Sequence, residues 1–500
     1  MTLSPDFLSF QERYDKGEAQ IVSQSLVADL DTAVSAYLKL SENETYSLLL
    51  ESVTDGAVKG RYSIIGIRPD IIWKSDNGVA SINRNALESS SFESVEGNSL
   101  ESLRSLLKES VIDLPTDLPP MAAGIIGYLG YDMVREMEDL APAKPDPIGI
   151  PTGMFIRPTI MAIFDDVTNM ITVVTPVRPH AALSAEKAHE DATSLLSQYI
   201  KCLKGPLPKT KANKTSAPIN IQSNTSKTDY AAMVKTAQDY ILAGDIFQVV
   251  LSQRFSTAFT LPPFSLYRAL RRTNPSPFMY HLAFDNFAIV GSSPEVLVRL
   301  SEGEITIRPI AGTRKRGATM EEDLALEKDL LADPKECSEH LMLLDLGRND
   351  IGRVAAPHTV KVTAQNTIER YSHVMHIVSN VVGKLDAKYD AIDALRAGFP
   401  AGTVSGAPKV RAMEIIDSLE KERRGPYAGS VGYFSASGTS MDTAIVLRTA
   451  VIKDEVLHVQ AGAGIVADSV AEAEQQECEN KAQALVRAAE EAIHIEKING

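Results

Sequence analysis

The chain reads as an α+β protein, and three features of the sequence say so. Short runs rich in β-branched residues, such as YSLLLES, RYSIIGI, GMFIRPTIMAIFDD and MITVVTPV, are separated by turn residues and read as strands. Other stretches carry helix start and stop signals. The two kinds of segment alternate irregularly, not as repeating βαβ units, which argues against a doubly wound parallel sheet.

Sheet should dominate the first half. In the second half DPKECSEHLMLLDL opens a helix, with Asp333 as cap, Pro334 at the first helical position and Glu336 completing a capping-box pattern. A second helix is expected from Pro408 through KVRAMEIIDSLEKERR, with Val410, Met413 and Ile416 at helical spacing, ending at Gly425-Pro426. The last should cover about residues 471–495. FAIVGSSPEVLVRL, EITIRPI, TAIVLRTAVI and VLHVQAGAGIV read as strands.

With 500 residues, 44% of them hydrophobic, the chain can fill two ordinary domains or one large one. The best boundary is KCLKGPLPKTKANKTSAPINIQSNTSKTD, rich in Lys, Pro, Ser, Thr and Asn and without an acidic residue until Asp229. It divides an N-terminal domain (1–200) from a linker-like segment (201–226) and a C-terminal domain (227–496). A formal charge of −15 works against general attraction to nucleic acid or anionic membrane. The three cysteines, Cys202, Cys337 and Cys478, are widely spaced and form neither a metal-ligand pattern nor a disulfide framework. No apolar run approaches the ~18 residues a membrane helix needs. A soluble, cytoplasmic protein is expected, with protein and small-molecule partners.

Several constellations carry chemistry. On the terminal helix Glu474, Glu477 and Lys481 share one face, where the two carboxylates can hold a hard divalent cation or simply form a solvated ion-paired surface. Glu339 shares its helix face with Met342, Leu343 and Leu346, where an unpaired carboxylate is costly, so it needs a partner or a metal. Mg²⁺ takes only one or two carboxylates, and Glu339 with Glu477 would suffice. Glu295, after the small-residue turn of GSSPEVLVRL, is either a partly buried acid with a raised pKa or an ordinary strand-edge glutamate.

Strand alternation in TAIVLRTAVI puts Asp442, Ala444, Val446 and Arg448 on one face. Arg448 then either binds a ligand carboxylate or pairs with an acid such as Asp442. Gly462 and Gly464 around Ala463, and Gly406 with Ala407 before a helix, are candidate anion cradles, although such glycines are also common in turns. In ERYSHVMHIVSNVV, His373 and His376 lie an odd number of residues apart on a strand, so at most one faces a common pocket. Parity alone does not choose between them.

Taken in order, PIAGTRKRG, ECSEHLMLLDLGRND, YSHVMH, GTVSGAPKVRAMEII, VLRTA and QAGAGIVADS with ECENKA resemble the chorismate-utilising enzyme family. The match spans Tyr230 to Arg487, with a weaker extension through LLLES, RYSIIG and GIIGYLGYD, and is nearest to the anthranilate synthase component I branch. The resemblance implies two large, mostly antiparallel sheets packed as a sandwich, with helices outside and a cleft for the active site. It implies a lyase reaction in which chorismate is aminated at C2, loses its C4 hydroxyl and then eliminates pyruvate to give anthranilate, opening tryptophan biosynthesis.

By motif match, Glu339 and Glu477 hold Mg²⁺ with Glu474 nearby, Glu295 is the general acid and His376 serves the later elimination. Tyr427, Arg448, Gly462, Ala463 and Gly464 bind carboxylate, and Gly312 and Thr313 line the same pocket. Family members that use water carry lysine where this chain has Gln248, and aminodeoxychorismate synthases carry lysine where it has Ala311. The first difference points to ammonia in place of water, the second favours anthranilate over the aminodeoxychorismate route to 4-aminobenzoate, and the retained acid, metal and arginine residues argue against a non-catalytic chorismate or tryptophan sensor. Ammonia implies a glutamine amidotransferase subunit, in family assemblies a heterotetramer. Ser52 in the N-terminal domain, with Pro277, Phe278 and Met279, matches an allosteric site for L-tryptophan, the feedback inhibitor; a strand end against a proline-rich turn explains the same residues without a ligand.

Overall fold

The computed structural model describes residues 3–52, 60–208, 219–371 and 374–499. Every strand pairing is antiparallel, and the fold is the expected α+β sandwich. Two long strands, Tyr62–Asp76 and Gly153–Asp165, make the sandwich possible. They pair along their whole length, interrupted by a bulge between Pro69 and Ile71, where Pro69 lies opposite Pro158 and Arg68 takes a positive φ of 55°. Bulges and prolines bend a strand pair. Each strand therefore leaves one sheet and enters the other.

Their first and last halves, respectively, carry a sheet that runs through Ser47–Glu51, Phe278–Ala283, Phe287–Ser293, Thr449–Lys453 and Val456–Ile465 to Gln248–Ala258. The other halves carry a sheet through Ile125–Leu129, Ser430–Phe434, Met441–Ile445, Val296–Ser301 and Glu304–Ile307 to Val374–Lys384. The N- and C-terminal halves thus share both sheets, through Met279↔Glu51 on one and Val431↔Tyr128 on the other.

Side-chain alternation separates two cores. Ile64, Ile72, Met154, Ile156, Tyr280, Ile289, Val431 and Val451 fill the space between the sheets. Their strand neighbours Ile65, Trp73, Phe155, Met279, Val290, Ala450 and Ile452 face outward into a second core that helices cover. Of the expected linker, Lys201–Leu203 ends the helix Ala185–Leu203, Gln222–Ser223 adds a short strand, and residues 209–218 lie outside the described residues.

Helix starts follow the sequence more closely than helix ends. Asp333 caps the N–H groups of Lys335 and Glu336 at 3.0 and 3.3 Å, but Glu336 pairs with Arg314 and does not close a capping box. The helix expected to reach Gly425 spans only Lys409–Leu419, and Val410 is exposed while Ala412, Met413, Ile415 and Ile416 form the buried face. The reason lies in the next turn. Glu420 accepts from the N–H and hydroxyl of Ser252 at 2.8 and 2.9 Å and from two guanidinium nitrogens of Arg424 at 2.6 and 2.9 Å. Arg424 also donates to the carbonyls of Val250 and Val404, both at 2.7 Å. These side-chain bonds take the segment out of the helix.

Removing one partner of such a pair leaves an uncompensated buried charge. Arg424→Met should cost about 3–5 kcal/mol. Adding Glu420→Gln should recover a large part of it, measured as thermal midpoints of the two variants side by side. A single variant as stable as the parent would contradict the account.

Candidate active site

A cavity of about 590 Å³ opens where Gln248–Ala258, Val456–Ile465, the terminal helix Ala471–Asn499 and the helix Pro334–Gly352 converge. It is lined by Glu295, Gly312, Thr313, Glu339, His376, Tyr427, Arg448, Gly462, Gly464, Glu474, Glu477 and Lys481, all singled out from the sequence. Ala463 is not among the lining residues. It is fully buried, since alternation turns its side chain away while Gly462 and Gly464 face the cavity. His373 lies outside the described residues.

Glu295 follows Pro294 where the chain passes from the strand Phe287–Ser293 of one sheet to Val296–Ser301 of the other, and it lines the cavity at that crossing. It is only 7% exposed. Burial pushes its carboxyl up to about 8, against the weaker opposing effect of the Thr403 hydroxyl and the Ile310 N–H. Thr403 Oγ1 makes no hydrogen bond of normal geometry, which leaves burial in control. At neutral pH the group is a carboxylic acid with a proton to give.

Arg448 corrects the continuous-strand reading of TAIVLRTAVI. Met441–Ile445 and Thr449–Lys453 are separate strands in different sheets, and Arg448, at a φ of 46°, sits in the break between them. Asp442 pairs instead with Arg299, at 2.9 Å. Burial lowers the pKa of Arg448, and among the described residues no carboxylate offsets it. A partly buried guanidinium without an acid is a receptor for a carboxylate.

His376 Nδ1 lies 3.1 Å from the Gly312 carbonyl and 3.0 Å from Thr313 Oγ1. A carbonyl only accepts, so Nδ1 carries the proton and Nε2 keeps its lone pair. Burial holds the imidazole below its usual pKa. Gly312 has a φ of 70°, and a side chain there would come within 3.1 Å of Glu336 Oε2. The two glycines on Val456–Ile465 have steric reasons of their own. A Cβ at Gly462 would lie 2.9 Å from Tyr427 Oη, and one at Gly464 would strike Gln248 Nε2.

At the opposite end Glu336, Glu339, Glu474 and Glu477 gather on two helices. Burial first, then repulsion from Glu336 and Glu477, raises the Glu339 carboxyl; burial first and then Glu477 raise Glu474. Lys481 reaches Glu477 Oε1 at 2.7 Å and the Gly462 carbonyl at 2.9 Å, and Gln248 Nε2 donates to Glu339 at 3.3 Å. Oxygen donors in mutual repulsion suit a hard dication. Among the described residues no three such side chains converge tightly enough to enclose an ion, so the protein would contribute one or two ligands.

The sequence reading overlooked Thr403 and Val404, which line the cavity. In their motif, GTVSGAPK, the sequence points to the Gly406–Ala407 pair as an anion cradle. That pair instead hydrogen-bonds as a short strand against Gln248 and Val249, and a Cβ at Gly406 would meet the Gln248 carbonyl at 2.1 Å. A second cavity of about 600 Å³ gathers Glu51, Ser52, Pro277, Phe278 and Met279 with Arg61, Arg299, Arg308, Tyr371, Tyr433 and Asp442. Glu51 is held at its edge by Arg271, at 3.0 Å, and by the Tyr267 hydroxyl.

The Glu295 shift has a measurable consequence. The folded carboxyl titrates near 8 and the unfolded one near 4.5, so the unfolded chain releases its proton first and the fold loses stability as pH rises between those values. The isosteric Glu295→Gln variant escapes this loss. Its calorimetric melting temperature should exceed the parent's by more at pH 8 than at pH 5, whereas an equal difference at both values would refute the shift.

Comparison with known proteins agrees with the geometry. Residues 61–487 match the family described as chorismate binding enzyme. Anthranilate synthase component 1 of Cereibacter sphaeroides is 55% identical over 97% of both chains, and that of Aquifex aeolicus is 48% identical over 93% of both. The crystal structure of anthranilate synthase component I from Streptococcus pneumoniae superposes with a TM-score of 0.75 at 38% identity, over 92% of this chain and 98% of that one. A match across both the catalytic cavity and the N-terminal strands means that this chain belongs to the chorismate binding enzyme family, in its anthranilate synthase component 1 branch.

Proposed function

We propose that the chain converts chorismate and ammonia into anthranilate and pyruvate. The observation that carries this reading is the pairing, in one cavity, of a buried acid without a cation and a partly buried cation without an acid, Glu295 and Arg448. Chorismate supplies the complement of both: carboxylates for the arginine and a hydroxyl leaving group for the acid. Gln248 and Ala311 line the same cavity, so no protein amine stands at these positions to activate water or attack the ring.

Arg448 and the Tyr427 hydroxyl hold a substrate carboxylate over the Gly462–Gly464 backbone. Ammonia adds at C2, the ring double bonds shift, the C4–O bond breaks, and Glu295 gives its proton to the departing hydroxyl, which leaves as water. Elimination of pyruvate then restores the aromatic ring, with His376 Nε2 placed to take the proton that must leave C2. Glu339 and Glu477, with Glu474 beside them, would hold Mg²⁺. When bound, the metal would clamp the ring carboxylate and act as a Lewis acid.

Cys202 is exposed, Cys478 is buried in the outer core, and Cys337 is absent from the cavity lining, so ammonia is best supplied by a separate glutamine amidotransferase component, in a heterotetrameric assembly. The designation "component 1" of the relatives supports a partner. The second cavity, where the N-terminal strand ending at Glu51 and Ser52 meets Pro277–Met279, is read as an inhibitory site for L-tryptophan. Among the described residues no helix is long and apolar enough to cross a membrane, in keeping with a place in the cytoplasm.

Purified chain given chorismate, Mg²⁺ and ammonium should generate anthranilate fluorescence that chelator abolishes and tryptophan suppresses. Glu339→Gln should raise the Mg²⁺ needed for half the maximal rate by about tenfold or more. Binding of chorismate without fluorescence would defeat the assignment, and 4-amino-4-deoxychorismate as product would move it to the sister reaction.

A further inference from the structure

The two cavities share a wall. Pro294 and Ile310 line both, so the segment that carries Glu295 forms the partition. Tyr371 crosses it. Its side chain lines the second cavity, while its ring meets the His376 imidazole edge-on, with centroids 5.6 Å apart and planes at 63°. Its hydroxyl donates to Glu369 at 3.0 Å, and the other Glu369 oxygen pairs with Arg308, which also lines the second cavity.

The Tyr371 main chain is fixed at both ends of its peptide unit. Its N–H donates to the Val374 carbonyl at 2.8 Å, and its own carbonyl accepts from Arg316 at 2.7 Å. One side chain thus touches the histidine of the first cavity from the wall of the second.

We infer that Tyr371 is a positioning residue through which occupancy of the second cavity is transmitted to His376. The inference rests on the proposed reading of that cavity as a tryptophan site. A ligand seated against the Tyr371 ring and the Arg308–Glu369 pair shifts the edge that supports the imidazole, and small displacements of a catalytic group are expensive in rate. By linkage, substrate in the first cavity weakens the ligand in the second by the same factor.

The test uses the Mg²⁺-loaded enzyme with ammonium, comparing the parent with Tyr371→Phe, which keeps the ring edge but not the hydroxyl, and Tyr371→Leu, which keeps neither. Tryptophan binding is measured by calorimetry, and kcat, chorismate KM and inhibition by anthranilate fluorescence. Tyr371→Leu should lose about tenfold in kcat with a smaller change in KM, and the phenylalanine ring should restore part of that loss. Both variants should still bind tryptophan, yet keep a clearly larger residual rate than the parent when tryptophan saturates the second cavity.

Variants that saturating tryptophan inhibits as fully as it does the parent would overturn the inference while leaving the second cavity intact. Loss of tryptophan binding in Tyr371→Phe would make the residue a ligand contact and overturn it too. A parent that binds no tryptophan would instead fail the reading of the second cavity, and the coupling would fall with it.

Discussion

The buried pair of Arg424 and Glu420 is the joint on which the catalytic cavity depends. Their side chains are 1% and 7% exposed, and together they tie the end of the helix Lys409–Leu419 to the strand Gln248–Ala258 and to the loop that carries Thr403 and Val404. The Arg424 guanidinium also lies over the rings of Tyr131 and Tyr427, with centroids 4.7 and 5.5 Å away. Desolvating two charges is tolerable only when every polar atom is matched, and here the carboxylate accepts four hydrogen bonds while the guanidinium donates to two further carbonyls. Gln248, Val250, Thr403 and Tyr427 all reach the cavity from segments set by this network.

The contrast with the cavity itself is one of partnership. Charges that build the frame are paired, as Lys409 is with Asp350 at 2.8 Å, whereas two groups that face the cavity, Glu295 and Arg448, have no ionic partner among the described residues. A frame held by satisfied charges lets unsatisfied ones persist a few residues away. The same burial acts on both groups: it keeps a proton on the acid and leaves the guanidinium without a carboxylate partner. At the other end Glu339 and Glu474 feel repulsion from neighbouring carboxylates, an arrangement that suits a hard dication.

Much of this was legible in the sequence because it is local. The helical spacing of Glu474, Glu477 and Lys481 placed all three on the cavity face, and the apolar neighbours of Glu339 pointed to a carboxylate in need of company. What failed depended on contacts from elsewhere. Arg448 was put in the middle of a strand because a periodic pattern cannot reveal a residue in the left-handed region where two strands belong to different sheets. The helix after Pro408 stops early because Glu420 is recruited by Ser252 and Arg424. The crossing strands Tyr62–Asp76 and Gly153–Asp165, and the sharing of both sheets by the two halves of the chain, rest on pairings between distant segments that alternation does not encode. Tyr371 sits in a motif already singled out for its histidines, but only the fold shows that it faces a different cavity from His376.

The central claim is that the fold keeps Glu295 protonated at neutral pH so that it can serve as an acid. Infrared difference spectra between the parent and Glu295→Gln, recorded across a pH series, address it directly. The account predicts a protonated-carboxyl stretch assignable to Glu295 at pH 7 that disappears as pH rises through about 8. A carboxylate signal at pH 7, with no protonated band above pH 5, would contradict it.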